Sequence, residues 1–149
     1  MTERLQELLN AFNANLPLSK ARTIPSAWYF DPEMYALECD KIFGRTWQYV
    51  GRSELVQAPG SFLTVELAGE PILVVRDEKG TLRAFHNACR HRAAQVINEP
   101  CGKATKLRCR YHGWTYDLAG QLRGMPEFDG VEDFRKEEQG LPPMHVETW

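Results

Sequence analysis

The chain carries Cys89-Arg90-His91 and Cys109-Arg110-Tyr111-His112, a C-x-H and a C-x-x-H pair with seventeen residues between them. Each pair offers one soft thiolate and one imidazole. A fold that uses both must bring two ligand-bearing loops together on rigid supports. Both motifs fall just beyond runs that read as strands. A strand fixes the root of a loop while the loop aims its side chains outward. Two such loops meeting at the tip of a small sheet would present the imidazoles to solvent and to a partner.

The rest of the chain supplies such supports. Runs 46–50, 61–67, 72–76, 81–86, 106–108 and 115–118 are β-branched or alternate with period two, and 121–124 follows a turn. Pro59-Gly60, Ala68-Gly69, residues 77–80 and Ala119-Gly120 punctuate them. This spacing predicts a mainly β chain, an antiparallel sandwich or barrel. A helical arm precedes it. Residues 2–15 place Leu5, Leu8, Leu9 and Phe12 at helical spacing. Asp31-Pro32-Glu33 is a helix start, with Asp as N-cap, Pro at the first position and an acid in the first turn. Phe30 and Tyr35 stand where a hydrophobic staple would place them. Tyr35, Cys39, Ile42 and Phe43 share one face, so Cys39 reads as a small buried hydrophobe. No internal repeat is evident. The expected organisation is a helical arm over 1–45, a β domain over 46–138 and the start of a linker over 139–149.

With 149 residues and 43% hydrophobic residues the chain can build one core. A net charge of −2 gives no global bias toward nucleic acid or a membrane surface. The local charge is uneven. Arg83, Arg90, Arg92, Lys103, Lys106, Arg108 and Arg110 face only Glu99 across 83–110, whereas 127–147 holds seven acids against Arg135 and Lys136. The basic stretch is either a solvated face or a rim that steers an acidic redox partner toward the Cys/His pairs. No apolar run approaches a membrane span, and the start lacks a secretory layout. Cysteines beside histidines in such a chain favour metal over disulfides, with a reducing cytoplasm as the setting.

Three metal readings compete. A plant-type [2Fe–2S] cluster needs four thiolates at C-x4-C-x2-C spacing, which Cys39, Cys89, Cys101 and Cys109 lack. Structural zinc usually takes cysteines paired at short spacing, whereas each near pair here joins Cys to His. A Rieske [2Fe–2S] centre puts two thiolates on one iron and two imidazoles on the other, and uses the set as it stands. Cys101 then reads as a free thiol. His86 and His145 have no ligand partner at useful spacing.

The stretches 84–92 (AFHNACRHR) and 109–117 (CRYHGWTYD) resemble the Rieske domain of the large (alpha) subunit of ring-hydroxylating and choline-monooxygenase-like oxygenases. Trp28-Tyr29, Ile42-Phe43, residues 46–50 and Gly140-Leu141-Pro142-Pro143 extend the likeness over most of the chain. The resemblance implies a Rieske-type antiparallel β-sandwich with a cluster-binding tip. It implies Cys89 and Cys109 on the buried iron, and His91 and His112 on the outer one. It further implies Gly113 as a tight turn, Trp114 as a lid over the loop and Tyr116 as a hydroxyl donor to a cysteine sulfur. Respiratory Rieske proteins add a loop disulfide and a serine; here Ala94, Tyr111 and Trp114 stand at those places. The potential should lie toward the low end of the roughly −150 to +300 mV Rieske range.

The resemblance also implies a separate catalytic domain holding a mononuclear Fe(II) on two histidines and a carboxylate. Four histidines, two of them committed, do not supply that site here. The expected role is therefore the electron-input domain of a Rieske non-haem iron oxygenase. It would take electrons from a flavin reductase or ferredoxin and pass them to non-haem iron, often in a neighbouring subunit of a homotrimer. The full enzyme would hydroxylate an aromatic or quaternary-amine-type substrate. A free-standing Rieske ferredoxin is the alternative, and a zinc-bound interaction module a third class. The helical arm and the His-Gly-Trp match favour the first.

Overall fold

Alternating apolar residues from Ser61 onward commit the chain to strands. Strands β1 (Ser61–Leu67), β2 (Glu70–Arg76) and β3 (Leu82–His86) form an antiparallel meander. Two short strands, β4 (Cys101–Lys103) and β8 (Pro143–Met144), close its edges, giving the order β4-β1-β2-β3-β8. Between them in sequence, β5 (Leu107–Arg108), β6 (Thr115–Tyr116) and β7 (Leu122–Gly124) form a second antiparallel sheet. The computed structural model describes residues 1–149. The chain divides into two compact units, Met1–Gln48 and Tyr49–Trp149.

Period two sorts β2 between two cores. Leu73 and Val75 join Phe62, Phe85, Leu107, Tyr116 and Leu122 in a core that draws on both sheets. Ile72 and Val74 point the other way, packing with Val56, Leu63 and Ala84. Each fully buried aliphatic of this kind stabilises the fold by about 1.5–3 kcal/mol relative to exposure. The two thiols of the paired motifs, Cys89 and Cys109, lie in the core shared by the sheets.

One repeat escaped the sequence reading. Asp77-Glu78-Lys79-Gly80-Thr81-Leu82-Arg83 and Asp117-Leu118-Ala119-Gly120-Gln121-Leu122-Arg123 make the same hairpin turn. In the first, Asp77 Oδ1 accepts from the N–H groups of Lys79 (2.9 Å) and Thr81 (2.8 Å), and Arg83 donates to Oδ2 at 2.7 Å. In the second, Asp117 Oδ1 accepts from Ala119 (3.0 Å) and Gln121 (2.9 Å), and Arg123 donates to Oδ2 at 2.8 Å. An Asx turn of this kind fixes the hairpin register.

The first unit holds α1 (Glu3–Asn10) and α2 (Pro32–Glu38). Both are capped as their sequences dictate: Thr2 Oγ1 accepts from Leu5 N–H and Asp31 Oδ1 from Glu33 N–H. Arg4 ties them, donating to Asp31 Oδ2 at 2.7 Å. That bond holds the Asp31 carboxyl below its ordinary value. Three expectations fail locally. The arm helix stops at Asn10 rather than running to 15, because α1 buries only Leu5. The apolar face that begins in α2 is not sealed: Met34 is buried while Tyr35 and Ile42 stay exposed, with Tyr35 leaning on Phe43 at 6.5 Å. Residues 46–50 form no strand. Trp47 and Tyr49 are exposed, and their alternation finds no neighbour to pair with.

Candidate metal centre

Each ligand motif sits on a loop rooted in a strand. The first loop leaves β3 and returns through Val96 and Ile97; the second joins β5 to β6. The two close in the same way. Cys89 N–H donates to Ala94 C=O at 2.8 Å, and Ala93 N–H to Cys89 C=O at 2.8 Å. Cys109 N–H donates to Trp114 C=O at 2.8 Å, and Gly113 N–H to Cys109 C=O at 3.0 Å. The fourth residue after each cysteine is left-handed, Ala93 at φ 56° and Gly113 at φ 74°. The unequal spacing of C-x-H and C-x-x-H therefore rests on one shared loop design. Glycine serves the second position well, since an added Cβ would also stand 3.2 Å from Pro126 Cγ.

The loops bring the donors together as two like pairs, thiol beside thiol and imidazole beside imidazole. Cys89 and Cys109 are 3% and 2% exposed and neither forms a disulfide. Burial pushes the Cys89 thiol up, with a further push from the neighbouring Cys109 thiol; the Tyr116 hydroxyl and the His91 N–H oppose it. The His91 and His112 rings lie 4.6 Å apart, edge to face. Burial, then His112 and Arg92, lower the His91 pKa, so its ring is neutral at pH 7. Its Nδ1 is buried with no hydrogen-bond partner. A neutral imidazole with a buried, unpartnered nitrogen has the chemistry of a metal ligand, and a buried polar atom without a partner is costly. No three His, Cys, Asp or Glu side chains gather as the ligands of one ion would. A pair of neighbouring thiols and a pair of neighbouring imidazoles are the donor types that a cluster of two metals with unlike ends takes.

Tyr116 is fully buried, its hydroxyl 3.3 Å from Cys89 Sγ. That oxygen accepts from Arg90 N–H at 3.0 Å, and its own proton is available to a thiolate at Cys89. Burial, then the Cys89 contact, hold the Tyr116 hydroxyl protonated. Trp114 is 3% exposed and stacks on His91 at 5.1 Å and 8°. Tyr111 is exposed and covers His112 at 3.8 Å. Arg90 and Arg92 are exposed. Cys101 is exposed on β4, Cys39 is half-buried in the first unit, and His86 lies 3.6 Å from Glu70.

Asn87 was missed as a structural residue. It is 2% exposed; its Nδ2 donates to Ile97 C=O at 2.7 Å, and its Oδ1 accepts from Val96 and Ile97 at 3.1 Å. It pins the return of the first loop to its departure. Ala93 was missed as well, since alanine carries no sign of a left-handed backbone. Phe128 and Phe134 were hidden in the acidic stretch, yet both pack on Trp114.

Residues 46–135 match the family model described as the Rieske [2Fe–2S] domain. The chloroplastic choline monooxygenase of Arabidopsis thaliana is 38% identical over 145 residues, 97% of this chain and 34% of the relative. The glycine betaine monooxygenase oxygenase subunit of Chromohalobacter salexigens is 43% identical over 124 residues, 83% of this chain and 28% of that protein. Naphthalene 1,2-dioxygenase from Rhodococcus sp., solved with indole, superposes with a TM-score of 0.83 at 32% identity over 96% of this chain and 32% of its own. A quaternary ammonium Rieske monooxygenase, described for carnitine oxidation by gut microbiota and inter-subunit electron transfer, gives 0.77 at 33% identity over 83% of this chain and 34% of its own. The chain thus spans about a third of the length of the relatives it matches.

Proposed function

The chain belongs to the Rieske [2Fe–2S] domain family, and from that premise we propose that Cys89 and Cys109 hold the inner iron of the cluster and His91 and His112 the outer one. The pairing of two buried thiols with two imidazoles, one with an unpartnered buried Nδ1, carries this assignment. When bound, the cluster supplies one-electron transfer. The protein does the rest. Loading it removes the thiol protons that burial now retains at Cys89. Tyr116 donates to Cys89 Sγ and so favours the more negative, reduced charge state. His112, exposed at the loop tip, is the side chain a partner meets.

We assign this domain the electron-input role in a Rieske non-haem iron oxygenase. Its donor is a flavin reductase or ferredoxin. Its acceptor is a mononuclear iron in a catalytic domain, reached across a subunit boundary in a trimer. Arg90, Arg92, Lys103, Lys106 and Arg108 form no ion pair within the chain, whereas Arg110 is engaged by Glu99. Uncompensated cations around the loops suit an acidic carrier. Relatives that act on choline and glycine betaine favour a quaternary amine as the substrate of the whole enzyme. No helix is long and apolar enough to cross a membrane, and a reducing cytoplasm suits four free cysteines.

Chemical analysis tests the ligand assignment. The purified chain should contain iron and acid-labile sulfide in equal amounts, and His112→Ala or Cys109→Ala should lose both. Full loading in either variant would defeat the assignment.

A further inference from the structure

His91 has no hydrogen bond from its buried Nδ1 to set the angle of its ring. In this structure what surrounds the ring is aromatic packing. Its one face-to-face ring contact is the stack on Trp114, 8° from parallel. Trp114 is in turn met nearly at right angles by Phe128 at 5.5 Å and by Phe134 at 5.9 Å. The two phenyl rings touch edge to face, 4.6 Å apart. Both come from residues 125–134, which form neither helix nor strand.

That segment is built for the contact. Glu127 and Asp133, the residues directly before the two phenylalanines, are left-handed at φ 57° and 58°. L-residues with a Cβ rarely adopt that conformation. The acids Glu127, Asp129, Glu132 and Asp133 are exposed and form no ion pair, so charge does not anchor the segment. Its apolar side chains, Met125, Phe128 and Phe134, turn inward onto the core that contains Trp114, and the two rings are the ones that meet Trp114 itself. A stretch of this composition would otherwise remain solvated.

We propose that Phe128 and Phe134 are positioning residues for the outer end of the cluster, holding His91 through Trp114. The inference rests on His91 being an iron ligand. Partners that orient a ligand without touching the metal change metal retention by about 10–100-fold when lost.

The test uses the cluster-loaded protein. Phe128→Ala and Phe134→Ala are compared with Phe134→Tyr, which keeps the ring, and with Val74→Ala, which destabilises the separate core on the other face of the sheet. Iron release to a chelator, the EPR line shape of the reduced cluster and the midpoint potential are read against thermal stability. The alanine variants should release iron at least tenfold faster and change line shape and potential. Phe134→Tyr should restore all three, and Val74→Ala should leave line shape and potential alone. Should Phe134→Ala not fold, Phe134→Leu keeps volume without the ring and gives the same comparison. If the phenylalanine variants track Val74→Ala in release rate and share an unchanged EPR signal, the positioning role is wrong while the ligand reading stands. A wild-type chain that binds no cluster removes both.

Discussion

Tyr116 joins the two chemistries at the centre of the domain, because one hydroxyl accepts from the loop backbone and faces a thiol. Tyr116→Phe should lower the midpoint potential, since a donor to sulfur favours the reduced cluster. Potentiometric titration checks it; an unchanged or higher potential would refute the donor role. Gly120 makes a purely structural demand. At φ 82° an added Cβ would sit 2.4 Å from Phe85 Cε1. Gly120→Ala should therefore cost about 3 kcal/mol from backbone strain and overpacking together, read as a fall in thermal midpoint. The two Cys/His pairs stood out in the sequence because their residue types and spacing answer a specific chemical demand, and Tyr116 entered through the family resemblance; both are proposed site residues. Asn87 and Ala93 did not stand out. Their roles come from the closure of a loop, where an amide or a methyl group can serve without any periodic or compositional mark.

At the level of elements, the repeated hairpin gives a graded comparison. Asp77 is 3% exposed, and Asp117 is more open to solvent. Asp77→Ala should cost about 2 kcal/mol and Asp117→Ala about 1 kcal/mol, since a buried acceptor leaves its donors without water. Equal losses by chemical denaturation would contradict this account. Burial alone would raise the Asp77 pKa, but the Arg83 hydrogen bond, with the Thr81 and Lys79 N–H groups, outweighs it and leaves the value below 3.8. A lowered folded pKa means stability present above the unfolded value and lost as pH falls through the folded one. The stability gap between wild type and Asp77→Asn should therefore shrink as pH drops below 3.8. Strands β1, β2 and β3 were legible because each is a run of five to seven residues rich in β-branched and apolar side chains bounded by turn residues, β2 being buried on both faces. β4 and β8 span 3 and 2 residues, too few to show a period. Residues 46–50 had the pattern without a partner strand, which shows that alternation alone does not make a strand.

For the whole molecule, charge and aromatic packing divide the tip between them. Cations without internal partners stand on and around the ligand loops, and acids stand on the segment anchored by Phe128 and Phe134. Reduction by an acidic carrier should slow as salt rises. Arg90→Glu with Arg92→Glu should lower the second-order rate constant at low salt by about tenfold. Stopped-flow traces indifferent to both changes would remove the basic rim from the account. The net charge of −2 concealed this division, and only the local count along the sequence pointed to it.

The most direct measurement is the EPR spectrum of the anaerobically purified, dithionite-reduced chain. Two thiolates on one iron and two imidazoles on the other predict a rhombic signal whose average g lies below the free-electron value, with nitrogen hyperfine coupling that His91→Ala or His112→Ala removes or alters. A silent, colourless protein, or a signal without nitrogen coupling, would contradict the assignment of Cys89, His91, Cys109 and His112.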